Sequence, residues 1–233
     1  CEKTAVQDIT APMPETSARI KFFNFGVGAP GVNFYADDVK MTAISSTTTS
    51  EATTGVNFGG VGAGGLYVAI DPGQYTLSGR IAAATDKDLA ITTTPANLEN
   101  GKAYSFYVSG IYNTTTKTAD SFVVEDPFIP EFDYTTAYVR FVHAISNANP
   151  MTMTIRERTD SSTVVIGGEV PYKSATPFVK VPPGSYDLST RYAGATTNAI
   201  TRTAVGFAPG RVYTIAARGN ITTASTVLLD NTL

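Results

Sequence analysis

Ile70-Asp71-Pro72-Gly73-Gln74-Tyr75-Thr76-Leu77 decides the fold of this chain, because it returns in the second half as Val181-Pro182-Pro183-Gly184-Ser185-Tyr186-Asp187-Leu188. Each copy reads as a Pro-Gly turn feeding a strand. Pro presets φ at the second turn position, and Gly accepts the positive φ that a type II turn demands at the third. After the turn, Tyr and Leu stand two apart and so share one face of a strand. Tyr75 and Tyr186 are therefore expected to be buried structural anchors at equivalent sites. Asp71-x-Gly73-x-Tyr75 also has the pattern of a tyrosine corner, in which a Tyr hydroxyl bonds back to upstream backbone. Pro182 replaces the Asp in the second copy.

The flanks of the two turns repeat as well. Ala18-Arg19-Ile20-Lys21-Phe22-Phe23-Asn24-Phe25 matches Ala137-Tyr138-Val139-Arg140-Phe141-Val142-His143-Ala144 position for position. Gly101-Lys102-Ala103-Tyr104 matches Gly210-Arg211-Val212-Tyr213, which adds Tyr104 and Tyr213 as a second pair of anchors. Three landmarks in one order mark tandem units, each long enough to bury its own core. Further strands are expected at Val32–Tyr35, Leu66–Ile70, Gln74–Ile81, Leu89–Thr93, Ala103–Tyr112 and Ser121–Glu125. No window shows a helical period of apolar residues.

The expected fold is all-β: two tandem immunoglobulin-like antiparallel β-sandwich domains after an extended N-terminal tether. The tether covers residues 1–17, with Pro12 and Pro14 and no strand alternation. The first domain covers 18–126 and the second 137–233. Residues 127–136 form the linker. There Pro127 and Pro130 remove backbone donors, and Phe128, Ile129 and Phe132 are expected to pack between the domains and stiffen the joint.

With 17 basic and 20 acidic residues the formal net charge is −3, and no basic stripe is present, so nucleic acid is not an expected partner. No apolar run reaches the length of a membrane-spanning helix. The single Cys is Cys1. It reads as the lipidation site of a mature bacterial lipoprotein, which makes the membrane, reached through lipidated Cys1, the first expected partner. Several acyl chains on one Cys would anchor the chain firmly, at about 0.8 kcal/mol per buried methylene. Val6 and Ile9, within Ala5–Thr10, are candidate partner-docking residues, able to add as a strand to a sheet edge of another envelope protein or another copy.

Ala-x-Val-Arg-Phe-Val-His-Ala, the Pro-x-Gly-x-Tyr strand and the Gly-x-x-Tyr strand together resemble a bacterial cell-envelope domain family of unknown function. The second repeat fits best, through Val139–Ala144, Pro183–Tyr186 and Gly210–Tyr213. The first departs at Asn24, where the family usually has His. The resemblance implies tandem immunoglobulin-like domains in a cell-envelope setting, often on lipoproteins, and it supplies no catalytic residues; the expected location is outer membrane-anchored and surface-exposed.

Gly26-Val27-Gly28-Ala29-Pro30-Gly31 and Gly60-Val61-Gly62-Ala63-Gly64-Gly65 match the spacing of a dinucleotide fingerprint. That motif needs a helix next, and strand patterns follow instead, so no nucleotide is expected. His143 is the only His. Because Asn24 holds its place in the first repeat, it reads as a hydrogen-bond partner rather than a general base. One His and one Cys cannot build a His/Cys metal site, and Glu125, Asp126, Glu131 and Asp133 read as a solvated acidic stretch without calcium spacing. No metal and no cofactor is expected. Tyr112 and Tyr192 are candidates for stacking on sugars or partners. Asp120-Ser121-Phe122 resembles a bacterial O-glycosylation acceptor.

The function expected from the sequence is a non-enzymatic, outer-membrane-anchored lipoprotein with a structural or adhesive role through protein contacts, within a fibre or an outer-membrane complex. The alternative is a carbohydrate-binding or accessory module of such a complex.

Overall fold

The computed structural model describes residues 16–42 and 54–232. Cys1, Val6 and Ile9 lie outside the described residues, as does most of the tether.

The first half contains β1 (Ala18–Asn24), β2 (Val32–Ala36), β3 (Val39–Lys40), β4 (Gly60–Val61), β5 (Val68–Ile70), β6 (Gly73–Ile81), β7 (Ala90–Leu98), β8 (Ala103–Asn113) and β9 (Thr118–Asp126). The second contains β10 (Ala137–His143), β11 (Met151–Glu157), β12 (Thr163–Val170), β13 (Ser174–Ala175), β14 (Val179–Val181), β15 (Gly184–Tyr192), β16 (Ile200–Phe207), β17 (Val212–Arg218) and β18 (Leu228–Thr232). One sheet of the first domain runs β4-β1-β8-β9 with β5 also on β1, and the other runs β3-β2-β6-β7. The second domain repeats both orders strand for strand, as β13-β10-β17-β18 with β14 on β10, and β12-β11-β15-β16. The two halves are thus sandwiches of one topology. In each, the first strand runs parallel to its neighbour β8 or β17.

The alternation of each strand explains the cores. Ile20 and Phe22 of β1 meet Phe34, Leu77 and Phe106 inside the first sandwich. Val139 and Phe141 of β10 meet Ile155, Leu188 and Ile215 inside the second. Strand follows both glycine runs: β2 after Gly31, and β5 after a short left-handed turn in which Ala63 and Gly64 have φ of 50° and 65°.

The Pro-Gly turns differ from expectation. Neither Gly73 nor Gly184 has positive φ; both open strands in extended backbone. Their glycines serve another need. The Tyr75 ring folds back so that its hydroxyl donates to the Asp71 carbonyl at 2.9 Å, and Tyr186 does the same to the Pro182 carbonyl at 2.8 Å. A Cβ on Gly73 would stand 3.5 Å from the Tyr75 ring, and one on Gly184 only 3.2 Å from the Tyr186 ring. Glycine clears the path of the tyrosine at Gly184, while a methyl at Gly73 would make ordinary contact; since the acceptor is a main-chain oxygen, Asp and Pro serve equally. Tyr186 is buried, at 2% exposure, whereas Tyr75 is half-buried rather than a fully buried anchor. Tyr104 and Tyr213 are buried, and their hydroxyls accept from the Glu99 and Ala208 amides at 3.1 and 2.9 Å.

Candidate functional site at the domain seam

Strand β10 buries both of its faces, and β1 does so over its last residues, Phe22–Asn24. Phe23 of β1 and Phe25 just after it, Tyr107 of β8 and Phe122 of β9 pack against Val142 of β10, Ala144 just after it and Ala216 of β17. Tyr107 stacks between Phe23 and Phe122, with ring centroids 4.6 and 4.9 Å away. Two sheet faces therefore form a third apolar layer between the domains. The linker does not fill this role: Phe128 is 88% exposed, and Phe132 packs on Tyr134 and Tyr138 beside the second domain. The two sandwiches meet through their own strands, whose extra apolar residues need a cover that a short linker cannot supply.

Three cations of the second domain reach across this layer. Arg140, 1% exposed, pairs through Nη2 with the Asp126 carboxylate. Its Nη1 donates to the Glu125 carbonyl and its Nε to the Thr214 hydroxyl, both at 2.9 Å. Asp126 is filled from its other side by the hydroxyls of Tyr67 and Ser105, each donating to Oδ2 at 2.7 Å. Every polar group in this set has a partner, which is the condition for burying an ion pair without a large desolvation cost. Lys173 binds Asp120 at 2.6 Å, beside Tyr172, whose hydroxyl meets Ser109 at 2.7 Å. Arg218 binds Asp230 at 2.8 Å and lies 5.6 and 5.0 Å from the Phe25 and Phe58 ring centroids.

Burial shifts two side chains beside this clamp in opposite directions. Burial, then the Asp126 charge and hydrogen bond, push the Tyr67 hydroxyl well above the usual tyrosine range. Burial pulls Lys21, which lies 4.3 Å over the Tyr67 ring, below the usual lysine range, against the opposing pull of Asp126. An arginine, a carboxylate with three donors and a tyrosine that holds its proton make a clamp. The acidic stretch is not one site: Asp126 faces Arg140, Glu125 binds Lys102 at 3.2 Å, and Asp133 accepts from Thr135. Among the described residues no group of three His, Cys, Asp or Glu is placed to hold a metal ion.

The remaining candidates fall into structural roles. His143 is fully buried and pulled below the usual histidine range by that burial. Tyr112 and Tyr192 are half-buried against the two cores. Ser121 is buried with its hydroxyl on Thr92 and Thr94, so the glycosylation-like tripeptide offers no accessible acceptor. Sequence reasoning missed the seam. Its signal was Ala137–Ala144 itself, apolar on both faces with one Arg inside, where a strand with one wet face would alternate.

The chain belongs to the family described as a domain of unknown function (DUF4397), whose model matches residues 18–154 and again residues 137–233. No curated protein matches it. Among solved structures it is similar to the Bacillus anthracis TIE protein, at 14% identity and a TM-score of 0.25, over 87% of this chain and 34% of that one. The chain thus spans about a third of that protein's length.

Proposed function

We propose that this pair of DUF4397 domains is a stiff, non-catalytic structural element of the bacterial cell envelope, held at the outer membrane by lipid on Cys1 and acting through protein contacts. The observation that carries the reading is the seam. A buried arginine clamp and an aromatic layer join two like sandwiches, which suits a spacer that must hold a fixed shape under load. A catalytic pair would need titratable groups poised near neutral pH, and the Tyr67 hydroxyl at the seam is pushed the other way, well above the usual tyrosine range. The finer parts of the reading, lipidation and adhesion, rest on Cys1 and on the family resemblance. The test is fractionation of the full chain against Cys1→Ser. Release of the variant into the soluble fraction supports the anchor, and continued flotation with membranes removes it. Chemical cross-linking on intact cells then identifies the protein partner; a chain that cross-links to no envelope protein and to no second copy contradicts the structural role.

A second reading, carbohydrate binding, draws on one groove. Thr93, Thr94, Thr118, Asp120 and Lys173 line about 510 Å³ of polar surface space. A row of hydroxyls beside an ion pair matches the hydrogen-bonding pattern of a sugar. A glycan array separates the two readings.

A further inference from the structure

A groove of about 390 Å³ opens at the outer end of the first domain, lined by Ser17, Val39, Met41, Ile70 and Tyr75 among others. It is apolar and open, with Val39 66% exposed. The internal repeat shows why Tyr75 is half-buried. In the second domain Tyr186 is covered by Val205 and by Phe207, whose ring centroid is 5.4 Å away. The residues at those register positions in the first domain are Ala96 and Leu98. Smaller neighbours leave Tyr75 half-buried where its twin is buried: Ala96 lines a second groove beside the ring, with Gln74 and Pro95, and the ring also lines the groove of Val39 and Met41.

The chain enters the first domain at the rim of this groove. Ser17 is buried and pinned on both sides: its amide donates to Asn100 Oδ1 at 2.8 Å, and its carbonyl accepts from the Gly101 amide at 2.9 Å. The preceding residues include Pro12-Met13-Pro14. Pro14 is three residues from Ser17, a span of at most roughly 10 Å. A Pro-x-Pro segment favours the extended polyproline conformation, which loses little entropy on binding and lays its rings against an aromatic wall. The groove rim carries Asp37 and Asp71, which disfavours an acidic occupant, and Pro12-Met13-Pro14 is uncharged.

We propose that Pro12-Met13-Pro14 docks in this groove against Tyr75 and Met41, so that the first domain holds its own tether. The contact fixes the direction in which the tether leaves the domain, and it stands whether or not Cys1 carries lipid.

Methionine labelling tests it in the full-length Cys1→Ser chain. The four methionines are Met13, Met41, Met151 and Met153. Met151 and Met153 are fully buried in the second core and report that the protein is folded. The expected result is a nuclear Overhauser contact from the Met13 methyl to the Tyr75 ring and the Met41 methyl, and a shift of the Met41 signal on deleting residues 2–14, with Met151 and Met153 unmoved. An unmoved Met41 signal in the deletion overturns the proposal. So does a Met41 contact to Ile44 in place of Met13, which would give the groove to the following loop. A mixed sample of labelled and unlabelled chains separates the last case: contacts that cross between molecules assign the groove to a second copy and overturn docking within one chain.

Discussion

His143 and Asn24 occupy the same position in the first strand of their domains and share two hydrogen bonds, Asn24 adding a third. Asn24 Oδ1 accepts from the Gly26 amide at 3.2 Å, and its Nδ2 donates to the Pro30 carbonyl at 3.3 Å and the Val56 carbonyl at 2.8 Å. His143 Nδ1 accepts from the Ile145 amide at 3.2 Å, and its Nε2 meets the Asn149 carbonyl at 3.1 Å. Both side chains tie down the loop that leaves the strand, by the amide two residues on and a carbonyl six residues on. Accepting at Nδ1 places the imidazole proton on Nε2.

This equivalence predicts that His143→Asn is tolerated while His143→Ala is not. The alanine leaves the Ile145 amide and the Asn149 carbonyl without partners, at about 1–3 kcal/mol for a buried polar group. Urea unfolding of the two variants checks it. Equal losses would mean that ring packing, not hydrogen bonding, fixes residue 143.

The same residue sets a pH dependence. Burial lowers the folded-state pKa of His143 below its unfolded value of about 6.5. On acidification the unfolded state takes the proton first, so stability is full above that value and falls as pH drops toward the folded pKa. His143→Asn should flatten the stability profile between pH 7 and pH 5 relative to the parent chain. An identical slope in both would assign it to other groups.

The Arg140–Asp126 clamp predicts an asymmetry between single and paired changes. Arg140→Ala strands a buried carboxylate and should cost about 3–5 kcal/mol, whereas replacing both partners by Met and Leu should cost far less. Lys173→Ala, at the solvent-facing pair, should cost about 1 kcal/mol or less. Thermal unfolding of the set decides it, and additive losses for Arg140 and Asp126 would contradict a coupled pair.

The two tyrosine corners predict unequal costs. Tyr186→Ala removes a ring packed on Phe207 and should cost about 3–5 kcal/mol. Tyr75→Ala should cost clearly less, since Tyr75 is only half-buried. Gly184→Ala should destabilise more than Gly73→Ala, because its methyl would crowd the ring at 3.2 rather than 3.5 Å. Denaturant midpoints of the four variants test the order.

Much of the fold was legible because it repeats. Strand alternation in Ala18–Phe25 and Ala137–Ala144, and the Tyr-x-Leu spacing after each Pro-Gly, identified sandwich strands without any tertiary knowledge. The glycines read differently in the structure because a sequence does not show which property of Gly is used; neither has positive φ, and at Gly184 the need is room for a tyrosine ring. The linker was misread for a related reason. Phe128 looks like packing material, yet what it meets depends on how the sheets face each other. The candidate site was the least legible part. Asp126 beside Pro127 resembles any solvated linker acid, and only the return of β10 beneath it brings Arg140 to its carboxylate.

Whether the two sandwiches are held as one stiff body can be measured as a distance distribution between spin labels on opposite domains. Labels at Thr115→Cys and Asp160→Cys sit on exposed hairpins of the first and second domain, in a chain carrying Cys1→Ser. The account predicts a single narrow distance in the parent chain that broadens when Arg140→Ala is added. A broad distribution in the parent chain, unchanged by that substitution, would show that the seam does not hold the domains and would contradict the account.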